Sequence, residues 1–183
     1  MNLLSESEIV ALAKRGNLAA FEQLLLLYEK PVFNYLLRLV NHWQDAQDIT
    51  QETFLKVYKN LRILKPDTSP KAWIFTIATN TAYDWLRKKR KSRELSLGSL
   101  EYIETIDYDR SYKKVEEYQQ TQQLVKVMAA LKPRYRTVLL LYYQQELRYG
   151  EIAQALSLPI NTVKTCLRRA KQALKQEWRH YYG

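Results

Sequence analysis

The sequence predicts an all-α protein: two small helical domains joined by a flexible linker, the second carrying a helix-turn-helix. Three observations predict it. Helix breakers are scarce, with four Gly and five Pro in 183 residues, and helix formers dominate. Apolar residues recur at helical spacing towards both ends of the chain. The charge also falls in blocks. Residues 1–91 carry 14 basic and 9 acidic side chains, residues 92–115 carry 4 and 5, and residues 116–183 carry 11 and 5. Two basic blocks thus flank a slightly acidic stretch, in which five acids and no base lie between Glu94 and Asp109. That stretch includes Ser92, Ser96, Gly98 and Ser99 and has no sustained apolar period, so it reads as the linker. The expected boundaries are 1–91, linker 92–115, and 116–183.

The first block reads as four helices. Ser5 and Glu8 fit a capping box, and Gly16 fits a helix C-terminus. Asn17 caps a second helix, with Phe21, Leu24, Leu25, Tyr28 and Val32 at helical spacing. Pro31 inside that pattern is a place for a kink. A third helix is expected from about Gln44 to Leu61, with Ile49, Phe54, Leu55, Val57 and Tyr58 towards the core. Arg62 to Ser69 reads as a loop. Ser69 then caps a fourth helix with Pro70 at its first position.

The second block also reads as four helices, near 116–131, 133–144, 148–156 and 160–179. Its strongest local signal runs from Tyr149 to Ala170. A short helix containing the small residue Ala153 precedes a tight turn, and a second helix follows with Val163, Leu167 and Ala170 facing inward. The opposite face carries Lys164, Thr165, Arg168, Lys171 and Lys175, with Arg169 on its flank. This is the layout of a helix-turn-helix. Its second helix presents cations because it enters the negatively charged major groove. A solvated basic face on an ordinary helix is the plainer reading, but turn, small residue and charge face agree on DNA.

Composition narrows the function classes. A net charge of +10 and a pI near 9.6 call for a polyanionic partner, nucleic acid or an anionic membrane. A single cysteine, Cys166, excludes an internal disulfide and a cysteine-based zinc site. His42 and His180 lie far apart, so no metal site and no cofactor are expected. The N-terminus lacks the basic start and apolar run of a signal peptide. Leu24–Leu27 and Val138–Leu141 are too short to span a bilayer. A soluble protein of the reducing cytoplasm, with no membrane insertion, is expected. An enzyme such as a nuclease would need a metal-binding carboxylate cluster or a His-based acid and base. Asp45, Asp48 and Glu52 are the only candidates and have no His or Lys partner close by in sequence. The expectation is therefore no catalytic residue and no small-molecule substrate.

Two further segments carry information. In Asp45-Ala46-Gln47-Asp48-Ile49-Thr50-Gln51-Glu52-Thr53-Phe54-Leu55-Lys56-Val57-Tyr58, three acids line one helix face. That stripe fits a capped, solvated helix start and a protein-docking face equally well. In the segment Trp73 to Leu86, Trp73, Ile77, Asn80 and Asp84 share one stripe, and Arg87-Lys88-Lys89-Arg90-Lys91 follow. Aromatics beside a basic run suit single-stranded nucleic acid, where rings stack on bases and cations hold phosphates. Phe75 and Ile77 read as core; Trp73, Asn80 and the basic run read as functional.

Taken together, these segments resemble the extracytoplasmic-function sigma factors, the small members of the sigma-70 family, over the whole chain and in the correct order. The resemblance implies that Asp48, Gln51, Glu52 and Leu55 dock on core RNA polymerase. It implies that Arg62, Lys65, Lys71, Trp73, Asn80, Arg87 and Lys88 serve −10 recognition and melting, with a base flipped out of the non-template strand. It implies that Lys164, Thr165, Arg168, Arg169, Lys171 and Lys175 read the −35 element of promoter DNA. An anti-sigma factor is the further partner it implies, and the acidic linker would lie in polymerase channels that otherwise hold nucleic acid. Two departures stand out. Asn161 occupies a position where the family usually has Gly, and Asn tolerates the same turn geometry. Cys166 occupies one where Arg is common, which removes a phosphate contact; it reads as a small residue, with a redox role as the alternative. The promoter elements lie about 50 Å apart, and a 24-residue linker extends to about 80 Å, so one chain can touch both. A stand-alone helix-turn-helix regulator is the competing reading, and it leaves Trp73 to Lys91 unexplained. An RNA-binding or membrane-surface protein, inferred from charge alone, would not predict the helix-turn-helix.

Overall fold

The computed structural model describes residues 4–95 and 115–182, with side chains for 4–91 and 123–182. Eight α-helices run through these residues: α1 (Glu6–Lys14), α2 (Leu18–Val40), α3 (Trp43–Asn60), α4 (Pro70–Leu95), α5 (Val115–Ala130), α6 (Pro133–Leu139), α7 (Tyr149–Ala155) and α8 (Ile160–Tyr182). A 3-10 turn (Leu61–Ile63) follows α3, and a π-helical turn (Leu140–Gln144) prolongs α6. The described residues contain no strand, as the all-α expectation requires. Most of the segment assigned as linker, residues 96–114, lies outside the described residues. Helix α4 continues four residues past the expected boundary at 91, to Leu95. No helix among the described residues is long and apolar enough to cross a membrane.

Local chemistry sets the helix ends. At α1 the Ser5 N–H donates to the Glu8 carboxylate at 2.8 Å, and the Glu8 N–H donates back to Ser5 Oγ at 3.4 Å. This is the capping box read from the sequence. Gly16, at φ +90°, turns the chain into α2, whose first turn is capped by Asn17 Oδ1 accepting from Ala20 N–H at 3.0 Å. Helix α2 runs through Pro31 for 23 residues. The ring costs one helical hydrogen bond, but Leu24, Tyr28, Val32, Tyr35, Leu36 and Leu39 are buried on both sides of it, and their packing carries the helix across. The start of α3 is one residue earlier than expected because His42 Nδ1 accepts from Asp45 N–H at 3.2 Å. Ser69 Oγ caps α4 through Ala72 N–H at 3.2 Å.

One expectation for α3 is corrected. Ile49, Phe54 and Val57 are buried, but Leu55 is 60% exposed and Tyr58 50% exposed. At 100° per residue the buried arc holds Ala46, Ile49, Thr53 and Val57, and Leu55 falls on the opposite side. In the centre of the block Tyr35 is fully buried with its ring edge-on to Phe75 at 5.3 Å. Thr79 Oγ1 donates to the Phe75 carbonyl at 2.7 Å and so accepts from the Tyr35 hydroxyl at 2.7 Å.

Helices α5, α6 and α7 seat on α2 and α4 of the first block, α8 packs on α5, α6 and α7, and the buried apolar residues form one cluster across both blocks. Arg136 is the polar centre of that contact. It is 7% exposed, and all its partners are carbonyls. Within its own block it donates to Met128 O at 2.8 Å, Leu131 O at 3.1 Å and Ala129 O; across the contact it donates to Leu39 O at 2.6 Å. These carbonyls close the C-termini of α5 and α2, where helices leave acceptors unpaired and the dipole favours a cation. Burial pulls the guanidinium down to about 10, so it remains charged at neutral pH.

Candidate nucleic-acid and polymerase interfaces

The helix-turn-helix is α7, a turn, and α8. Glu151 accepts the Arg148 N–H at 2.8 Å and opens α7. The turn closes α7 with two bonds, Ser157 N–H to Gln154 O at 3.2 Å and Leu158 N–H to Ala153 O at 2.9 Å. That pairing requires a left-handed residue after the helix cap, and Ser157 supplies it at φ 52°. This corrects the sequence reading, which gave the turn geometry to Asn161. Asn161 is instead the second residue of α8. Val163, Leu167 and Ala170 are buried, as expected.

All six −35 candidates are exposed, but α8 divides them. Lys164, Arg168, Lys171 and Lys175 follow an i, i+4, i+7, i+11 stripe. Asn161, Thr165 and Arg169 follow a second stripe, which faces the first block. Thr165 and Arg169 line a cavity of about 580 Å³ together with Asn80 and Tyr83 of α4, Arg134, Tyr135 and Cys166. Lys171 Nζ sits over the rings of Tyr143 and Tyr142, at 5.3 and 5.9 Å; a hydrogen bond with Tyr143 pushes its ammonium up. Lys171 and Lys175 border a groove with Leu139, Tyr143, Leu174, Trp178 and Arg179. Only Lys164 and Arg168 border none of these hollows. Burial pushes the Cys166 thiol up, against the smaller opposing effect of Arg134 and Arg169.

The −10 candidates are spread along α4 and the segment before it. Arg62 and Lys65 are exposed, and the Arg62 guanidinium lies close to Gly16. Lys71 is half-buried and borders a hollow shared with Gln145 and Glu146 of the second block. Trp73 is half-buried against the core, so its ring is partly committed to packing. Asn80 is exposed and lies about 10 Å further along the helix. The structure does not gather the Arg62–Ser69 loop around Asn80, since no residue of that loop lines the Asn80 cavity. Arg87 pairs with Asp84 at 3.0 Å, and Lys88 is exposed.

The acidic stripe resolves into two parts. Asp45 is mostly covered and meets His42 Nδ1 at 3.0 Å and Lys89 Nζ at 3.2 Å; Lys89 also lies over the Trp85 ring at 4.7 Å. Asp45 therefore ties α3 to α4. Glu52 pairs with Lys56 at 2.7 Å. Lys56 is thus a nearby partner that sequence reasoning denied these acids, in a local helix contact; His42 serves the Asp45 backbone, its Nδ1 accepting the Asp45 N–H. No group of three metal-ligating side chains occurs among the described residues. Asp48, Gln51, Glu52 and Leu55 remain as one exposed face at i, i+3, i+4, i+7.

Sequence reasoning missed Tyr83 and Arg136. The Tyr83 hydroxyl donates at 2.8 Å to Thr137 Oγ1, whose own proton goes to Pro133 O at 2.9 Å. The only signal for Arg136 was a cation placed directly before the apolar run Val138–Leu141.

Residues 24–92 match the family described as Sigma-70 region 2, and residues 121–174 match Sigma-70, region 4. The chain is 31% identical over 157 residues to RNA polymerase sigma factor YlaC of Bacillus subtilis (strain 168), covering 86% of this chain and 91% of that protein. It is 28% identical over 173 residues to ECF RNA polymerase sigma factor SigW of the same organism, covering 91% and 92%. Among solved structures, the sigma factor RpoE of Bartonella quintana, in complex with the anti-sigma factor NepR, aligns at a TM-score of 0.76 and 23% identity, covering 87% of this chain and 96% of that one; this likeness concerns the fold. With both regions matched in order and YlaC aligned over nine-tenths of its length, the chain belongs to the extracytoplasmic-function sigma factors of the sigma-70 family.

Proposed function

We propose that this sigma factor divides its work between two modules, residues 1–91 and 116–183, tethered by residues 92–115. It binds core RNA polymerase and directs promoter-specific initiation, as its family membership states. The finer assignment is ours. Asp48, Gln51, Glu52 and Leu55 dock on the polymerase. Arg62, Lys65, Lys71, Trp73, Asn80, Arg87 and Lys88 engage the −10 strand. Lys164, Thr165, Arg168, Arg169, Lys171 and Lys175 read the −35 duplex. The observation that carries this division is the exposure of an acidic–apolar face on α3 in a chain whose net charge is +10. A surface opposite in sign to the rest of the molecule suits a protein partner, and the cationic faces suit DNA.

The chain acts as a non-enzymatic initiation factor in the cytoplasm, where bacterial transcription takes place. An anti-sigma factor is a further partner; exposed Leu124, Tyr143 and Trp178, with Lys171, Lys175 and Arg179 nearby, suit an acidic amphipathic segment. A stand-alone regulator would leave the region 2 match over residues 24–92 without a purpose.

Transcription in vitro from a genomic fragment library, with core enzyme plus or minus the chain, tests the function. New start sites that depend on the chain are expected; no association with core and no start site would end the proposal. In the same assay Asn80→Ala should keep core binding and slow strand opening, read as permanganate reactivity of −10 thymines.

A further inference from the structure

We propose that Asn161 reads one adenine in the major groove of the −35 duplex and so sets the base preference at one position of that element. The inference rests on the −35 roles proposed above and deepens them: it adds a residue outside those six, and the base it selects.

Three observations carry it. The first is that the turn leaves Asn161 without a structural task. The left-handed backbone of the helix-turn-helix belongs to Ser157, whereas Asn161 is the second residue of α8 and has no positive φ. Its side chain does not cap the helix either. The first amides of α8, Thr162 N–H and Val163 N–H, donate to the Pro159 carbonyl at 2.9 and 3.1 Å. The Asn161 side chain is exposed and makes no hydrogen bond among the described residues. Its amide keeps both its donors and its carbonyl acceptor for a partner outside the chain. Helix propensity does not call for Asn here, since Ala would serve α8 better.

The second is direction. At 100° per residue, Asn161 and Thr165 lie within about 30° of the direction opposite the buried Val163, Leu167 and Ala170. Asn161 points more squarely outward than Lys164, which stands about 90° from that direction. It is also one turn, about 6 Å, nearer the start of α8 than Thr165. In a docked helix-turn-helix the N-terminal residues of the second helix meet base edges. Asn161 stands at that end, ahead of all six residues assigned to the −35 element. It lines the hollow beside α4 together with Thr165 and Arg169, so its access to DNA is the same as theirs.

The third is the chemistry of the pair. Lys164 is a point donor, and the Thr165 hydroxyl suits several bases. The adenine edge presents an N6 donor beside an N7 acceptor, which a side-chain amide matches with two bonds at once. Between Ile160 and Leu167, Asn161 is the one residue that carries such an amide.

The test uses the full chain with core polymerase, on a promoter taken from the genomic-fragment assay with its −35 element randomised. Transcribed templates are sequenced. The unsubstituted chain should favour an A·T pair in one orientation at one position, by about five- to a hundredfold over the alternatives. Asn161→Ala, which suits the helix, should erase the preference at that position and leave the others intact. Asn161→Arg should move the same position to guanine, the base that a guanidinium pairs with bidentately; a merely structural role would not produce that switch. Preferences unchanged at every position in Asn161→Ala, or weakened evenly at all of them, would overturn the proposal. So would relaxation at a position where the unsubstituted chain prefers a pair other than A·T. An unsubstituted chain with no preference anywhere in the element would end the −35 reading itself, and the role of Asn161 with it.

Discussion

The α3 face and the α4–α8 cavity are contrasting surfaces on one chain. Asp48, Gln51, Glu52 and Leu55 stand open to solvent, and the polar groups among them make only local contacts, Asp48 with Gln44 and Glu52 with Lys56. Asn80, Thr165 and Arg169 lie around a shared hollow, and the two blocks that frame it are tied by one buried and one part-buried hydrogen bond. Exposed ion pairs are worth about 0–1 kcal/mol and rearrange at little cost. Buried polar networks hold one geometry and resist losing a member. The difference is one of stiffness: the α3 face can rearrange at little cost, whereas the hollow between α4 and α8 is held in one arrangement.

The largest expected effect breaks the inward side. Arg136→Met removes a cation that satisfies four carbonyls, and the destabilisation should be about 3–5 kcal/mol, as for breaking a buried charged network. Urea unfolding followed by circular dichroism measures it. A midpoint equal to that of the unsubstituted chain would mean that Arg136 is not the keystone of the contact.

Next comes the outward side. Asp48→Lys with Glu52→Lys reverses the sign of the α3 face. Affinity for core polymerase should fall about a hundredfold, in the range seen for charge reversal at a complementary interface. Folding stability should change by less than about 0.5 kcal/mol, because both sites are on the surface. Competition for core against the unsubstituted chain provides the readout, and unchanged affinity would remove these acids from the docking face.

What the sequence made legible follows from which physics is local. Ser5, Asn17, Ser69 and the apolar spacing of α8 act within one helical turn, and all were readable. His42 as a cap was missed because a ring nitrogen is an uncommon cap acceptor. The resemblance gives the left-handed turn geometry to Asn161, at a position where the family usually has Gly; the pair of backbone bonds at Ser157 places it there instead. Leu55 was read as core from hydrophobicity alone, although its angular position on α3 already argued for the surface. The division of α8 into an open stripe and a covered stripe could not be read at all. It depends on where α4 lies in space, just as Arg136 reaches the end of α2, 97 residues earlier in the chain, only through the fold of both modules.

The split of α8 can itself be sharpened. Arg168, like Lys164 one turn before it, borders none of the hollows. Arg168→Ala should weaken polymerase–promoter binding about fivefold and lower the salt slope by about one unit if the guanidinium contacts a phosphate. Filter binding across a salt series would show it; an unaltered slope with unaltered affinity would take Arg168 out of the interface and leave Lys164 as the outer contact.

The smallest effect concerns the character of the cavity. Cys166 feels two opposing influences: burial, which favours the neutral thiol, and the guanidinium groups of Arg134 and Arg169, which favour the thiolate. Burial is the larger, so the folded thiol titrates above its ordinary range. A smaller thiolate fraction at any given pH below that range means slower alkylation. In the free chain, Cys166 should react with iodoacetamide about two- to fivefold more slowly than glutathione at pH 7.5, and its rate should keep rising at pH values where a simple thiol has levelled off. Tyr83→Phe, by loosening the contact, should move the profile part of the way back. A profile that inflects at or below the ordinary thiol range would mean that the two guanidiniums outweigh burial, and the hollow between the modules would then be a solvated cationic cleft instead of a covered seam.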